Sequence, residues 1–176
     1  SLGLVGSEMC IRDSIEIAGK RKLAEALPII KSHVGTENKD KQLIAAAAIR
    51  NIEPDSSDKE KNLLLAAFDS RDENICSLVI RQMKNDNDIF PDEKLIHYLN
   101  EESLMVRNAA LEVSRDRMSV KLLPHIITCL SDPRSAISAR SALQVYDDED
   151  VVKLLIENVL NQNIEKSLKI GIIRIL

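Results

Sequence analysis

Aromatic side chains are nearly missing from this chain: two Tyr, two Phe and no Trp among 176 residues. A core without rings must be filled by Leu, Ile, Val and Ala, which suits closely stacked helices. Glycine and proline are also scarce, five of each, too few for turn-dense all-β architectures or low-complexity disorder. Cysteine occurs only as Cys10, Cys76 and Cys129, an odd number without paired spacing, so no disulfide framework is expected. Cys76 and Cys129 fall within apolar helical patterns, which points to reduced, buried thiols in a cytoplasmic setting. No apolar run approaches a membrane span, so direct membrane insertion is not expected. Charge of one sign is missing too: 24 basic against 28 acidic residues, well mixed, give −4. That argues against a dominating phosphate-binding surface and a specific nucleic-acid partner.

What is present is a repeat. The stretch from Glu101 to Leu111 reads acidic turn, Val-Arg, two small residues, Leu. At a spacing of 31, Val106 is answered by Ile44, Ile75, Ile137 and Leu168. The neighbouring columns are Ala47, Leu78, Ala109, Arg140, Gly171; then Ala48, Val79, Ala110, Ser141, Ile172; then Ile49, Ile80, Leu111, Ala142, Ile173. A helical hairpin covers only one of its faces, so stacked hairpins repeat the same apolar positions in every unit. Five hairpins are expected over 15–176, with these columns on the second helix of each. Small residues at Ala47, Ala109 and Gly171 would let neighbouring helices approach closely.

Local signals place the helices. The first runs over 15–34, with Leu23, Ala26, Leu27, Ile30 and Val34 on one face and Pro28 marking a kink or break. Residues 40–52, nearly all Ala and Ile, read as a helix buried on most sides. Ser57 and Glu60 have capping-box spacing. Asp72 can cap the helix carrying Ile75, Leu78, Val79 and Met83. Pro91 suits a first helical position ahead of Leu95, Ile96 and Leu99. Asp132-Pro133 opens the eighth helix, and the acids of 147–150 open the ninth, where they favour the positive end of the helix dipole.

Residues 1–14 show neither caps nor relation to the repeat. The run 4–14 resembles a transposase sequencing adapter translated in one frame, which implies a non-native, disordered, dispensable segment.

The turn, Val-Arg and Ala-Ala-Leu pattern, with Asp132-Pro133 at the equivalent later turn, resembles the HEAT repeat family over 15–176. Glu101–Leu111 and 132–143 are the best copies. The resemblance implies an all-α, right-handed α-solenoid of about five antiparallel helix pairs, here a partial array continuing beyond the C-terminus. It also implies a ladder of turn acids and helix arginines. That ladder is broken here: the arginine column reads Ala45, Cys76, Arg107, Ser138, Lys169, and the acidic column Lys39, Ser70, Glu101, Asp132, Asn163. Arg107 is expected to pair with Glu101, Glu102 or Asp132.

No chemistry-bearing motif stands out. His33, His97 and His125 are isolated, without a metal-binding dipeptide or HExxH. No serine sits in a glycine elbow, and no glycine-rich phosphate loop appears. Catalytic, cofactor-binding and metal-binding residues are therefore all expected to be none. In HEAT-like arrays the second helices line the concave side, so Arg50, Ser77, Arg81, Asn108, Glu112 and Arg174 are the candidate partner-facing residues. The expected function is a non-catalytic interaction or scaffold module that binds a protein or peptide. One alternative is a cytosolic accessory HEAT domain of a larger membrane protein such as a nucleotide-transporter-like protein. Another is a HEAT-like enzyme such as a bilin lyase. The apolar final helix, with Ile170, Ile172, Ile173 and Ile175, adds an expectation of self-association through a truncated C-terminal end.

Overall fold

The structure is a computed structural model describing residues 2–55, 58–146, 148–161 and 163–175, with side chains from Cys10 onward and Asp148 excepted. Among the described residues there are eleven α-helices, three short three-ten turns and no strand. The chain divides into two compact units, Ser1–Ile89 and Phe90–Leu176.

The first unit holds α1 (Leu2–Lys20), α2 (Leu27–His33), α3 (Lys39–Ile52), α4 (Asp58–Phe68) and α5 (Glu73–Gln82). Its centre is α3, against which α1, α2, α4 and α5 all pack. Leu43, Ile44, the four alanines Ala45–Ala48 and Ile49 are all buried. Four consecutive alanines leave one turn of α3 without a bulky side chain, so a neighbouring backbone can come close there. Gly19 of α1 completes this fit: a Cβ built there would lie 2.7 Å from Cα and Cβ of Ala48. Asn38 caps α3 by accepting from the Lys41 N–H at 3.1 Å, and Asp72 caps α5 through the N–H groups of Asn74 and Ile75. The proposed Ser57 cap lies outside the described residues.

Three expectations for the first unit are corrected. Residues 2–14 are helical and continuous with α1, not disordered. Ile15 and Ala18 join the core, while Cys10, Ile11, Asp13 and Ser14 are exposed. Packing thus anchors α1 at Ile15 and Ala18. The helix expected over 15–34 is broken at Lys22. There the Leu23 N–H reaches the Ala18 carbonyl at 3.0 Å and the Lys22 N–H reaches Gly19 at 3.1 Å. This pair of bonds is a Schellman closure with Lys22 left-handed at φ 53. The break turns Leu23 out to 41% exposure; Ile30 and Val34 keep their buried places, and Pro28 sits in the first turn of α2.

The second unit holds α6 (Asp92–Leu99), α7 (Leu104–Arg117), α8 (Leu123–Thr128), α9 (Ala136–Leu143), α10 (Asp148–Leu160) and α11 (Lys166–Ile173). Ser103 caps α7, accepting from the Val106 N–H. Val106, Ala109, Ala110 and Leu111 are buried, and so are Leu95, Leu99, Leu122, Leu123, Ile126 and Ile127 of this unit. Gly171 of α11 lies against the Leu130 backbone, where a Cβ would come within 2.9 Å of the Leu130 carbonyl carbon.

The 31-residue register fails on α9. Ile137 is 76% exposed, whereas Ala136, Ala139, Ala142 and Leu143 are buried. The turn before α9 sets this rotation. Ser135 is fully buried and donates to the Cys129 carbonyl at 2.9 Å, and its own carbonyl accepts from the Ala139 N–H. The alanine face then packs toward α7, leaving Ile137 outside. Ile173, also expected in the core, is 58% exposed, although Gly171 and Ile172 are buried.

Candidate interaction face

The six residues proposed to face a partner do not share one environment. Arg50 is buried at 8% exposure and donates from Nε to Asp86 at 2.8 Å. Ser77 is buried at 4%, its hydroxyl donating to the Asn74 carbonyl at 3.0 Å. These two serve the interior of the first unit, which corrects their assignment to a surface. Arg81, Glu112 and Arg174 are exposed. Asn108 is half-buried, and its Oδ1 is enclosed without a hydrogen-bond partner among the described residues. Asn108 and Glu112 stand four residues apart on α7, hence on the same face of that helix.

A second enclosed polar atom went unnoticed in the sequence: Nε of Arg140, on α9, also has no partner. The repeat columns assign Arg140 to an apolar position, which hides its chemistry. The second unit therefore carries one spare acceptor, Asn108 Oδ1, and two spare donors, Arg107 Nε and Arg140 Nε, on α7 and α9, helices that pack together. Enclosed polar groups without partners are uncommon in folded chains and call for an explanation.

Other arginines are structural. Arg107 donates to the Asp132 carboxylate and to the Glu101 carbonyl, the latter at 3.2 Å. Hydrogen bonds from the Arg134 side chain and N–H, helped by the charge of Arg107, hold the Asp132 carboxyl well below the usual carboxylate range. Arg117, 8% exposed in its side chain, meets Asp92 at 3.2 Å, donates to the Phe90 carbonyl and lies 5.0 Å from the Phe90 ring centre. No local motif announces Arg117, because its partners are 25 and 27 residues away.

Cys129 is buried, pushed up to about 11 by burial, and directs its thiol to the Leu99 carbonyl at 3.3 Å. A thiol held neutral is a poor nucleophile. Burial, with the Asp92 charge adding, pushes Tyr146 up to about 12, and its hydroxyl donates to the Ser114 carbonyl at 3.1 Å. His97 is exposed with Nε2 3.1 Å from Glu101, and His33 and His125 are half-buried on α2 and α8. Among the described residues, no group of three or more His, Cys, Asp or Glu side chains is placed to hold a metal. Nor is any helix there long and apolar enough to cross a membrane.

In the first unit a polar cleft of about 810 Å³ is lined by Lys20, Lys22, Arg50, Arg81, Lys84 and Asp86, among others. The C-terminal ends of α1, α3 and α5 meet there. Basic side chains at helix C-termini answer the negative end of the dipole, and Arg81 Nη1 indeed lies 3.4 Å from the Ser77 carbonyl.

No protein-family model, curated protein or solved structure matches this chain.

Proposed function

We propose that this chain is a non-catalytic interaction module of the HEAT-like, right-handed α-solenoid kind, which binds an extended peptide segment of a cytoplasmic partner along its second helices. The observation that carries the reading is the spare acceptor of Asn108 with the spare donor of Arg140. A peptide backbone offers one N–H and one C=O per residue, the two groups that these atoms lack. Asn108 is only half-buried and lies one helical turn from exposed Glu112. The helical hairpins support the architecture: α2 packs on α3, α4 on α5, α6 on α7, α8 on α9 and α10 on α11. Each second helix buries apolar residues, as stacked hairpins do, although α9 departs from the 31-residue register. Buried Cys76 and Cys129, both outside any disulfide, are consistent with a reducing compartment.

The test is site-specific photo-crosslinking. A photoreactive residue replaces Glu112 on α7 or, as a control, exposed Lys121 outside it. Each protein is incubated with a random extended-peptide library, and crosslinked peptides are sequenced. Enrichment of a shared peptide pattern at position 112 over position 121 is the expected result. Equal, patternless labelling at both positions would remove the proposal.

A further inference from the structure

We infer that the α10–α11 hairpin is a self-association surface, which pairs with the same hairpin of a second copy of this chain. Both helices bury one side and leave apolar residues on the other. On α10, Val151 and Leu155 are buried, while Val152, Ile156 and Leu160 are 42%, 46% and 74% exposed. Their spacing of four puts them in one stripe along the helix. On α11, Leu168, Gly171 and Ile172 are buried, while Ile170 and Ile173 are 44% and 58% exposed. Apolar residues exposed together on two packed helices mark an interaction site more often than single scattered ones do.

Charge identifies the occupant. Asp150 and Glu157 are exposed on the solvent side of α10, with Lys153 the lone cation of that helix. On α11 the charged residues are Lys166 and Lys169, with no acid in the helix. The hairpin thus has one acidic and one basic helix. A partner of single sign is attracted by one and repelled by the other. A second copy turned by a two-fold axis matches both, because each surface patch then meets its complement twice. The α10 helix of one copy lies against α11 of the other, the apolar stripes cover one another, and Asp150 and Glu157 face Lys166 and Lys169. This surface shares no residue with the face of Asn108, Glu112 and Arg140, so the two tests can fail independently.

The test uses two charge-reversed variants of the whole chain, Asp150→Lys with Glu157→Lys, and Lys166→Glu with Lys169→Glu. Mass in solution is measured by sedimentation across protein concentration. The parent chain is expected to dimerise as concentration rises and to weaken in high salt. Each variant alone should be a monomer, since like charges then meet at both contacts. An equimolar mixture of the two should recover a one-to-one heterodimer. Circular dichroism confirms that each variant keeps the parent's helicity. A parent that stays monomeric, variants that dimerise as the parent does, or a mixture that stays monomeric would each overturn the inference. If a variant loses helicity, dimer dissociation by the parent's Ile156→Glu form decides instead, with undiminished dimerisation counting against it.

Discussion

The Arg107 guanidinium holds two turns of the second unit at once, the carboxylate of Asp132 on one side and the Glu101 carbonyl on the other. The ion pair is largely enclosed, with 12% and 21% of the two side chains exposed. Asp132→Asn should lower stability at neutral pH by about 1–2 kcal/mol, between values for exposed and fully buried pairs. The carboxyl of Asp132 is depressed in the folded chain, against about 3.9 when unfolded. Its contribution is therefore complete above that value and fades as pH falls below it toward the folded value. Urea unfolding between neutral pH and pH 3 should show a smaller acid loss in Asp132→Asn than in the parent. Equal acid losses would mean that Asp132, held low by Arg134 and Arg107, is not the source.

Ala109 and Ile137 make a contrasting pair. Ala109 is fully buried and Ile137 is 76% exposed. Ala109→Glu places an unpaired charge in the core and should cost several kcal/mol, roughly 3 or more. Ile137→Glu should stay within about 0.5 kcal/mol of the parent. Denaturation midpoints of the two variants decide between the observed packing of α9 and the uniform 31-residue register, which requires both to be damaging.

Gly171→Ala should destabilise α11. The added Cβ meets the backbone of Leu130, which cannot swing aside as a flexible side chain would. The expected cost is about 1–3 kcal/mol, the range for overpacking a core. Hydrogen exchange should report it as faster amide exchange within α11, with α6 and α7 less affected; uniform acceleration across the second unit would contradict a local clash.

Met118 ends α7 in the left-handed region at φ 51 and is 57% exposed. A glycine there removes the Cβ conflict while giving up little packing. Met118→Gly should raise stability by about 0.5–1 kcal/mol, and Lys22→Gly should do the same for the closure of α1. Lower melting temperatures in both would show that the side chains hold contacts of greater value than the backbone strain.

Much of this fold was legible in the residues. The alanine run of α3, the cap at Asp72 and the buried columns of α7 all follow from local pattern. So does the need for Gly171. What escaped was set by contacts distant in sequence. Ile137 looked buried because its column is apolar elsewhere, whereas the buried Ser135 turn rotates α9 by its own hydrogen bonds. Arg50 and Ser77 looked like surface residues because periodicity cannot see Asp86 across the loop or the Asn74 carbonyl a turn below. The break at Lys22 carries no glycine, the residue that usually announces such a closure. Among the site residues, Asn108 was legible by position, but its spare acceptor and that of its counterpart donor on Arg140 required coordinates.

The most direct measurement is the affinity of Asn108→Ala for a peptide selected on the parent chain, read alongside its urea midpoint. If the Asn108 amide serves a partner and not the fold, affinity should fall about tenfold, the equivalent of one hydrogen bond at roughly 1.4 kcal/mol. Stability should hold or rise by up to about 1 kcal/mol, since an unpaired buried acceptor is removed and alanine favours the helix. Unchanged affinity, or a fall in stability of about 2 kcal/mol or more, would mean that Asn108 belongs to the fold and that the proposed interaction face is wrong.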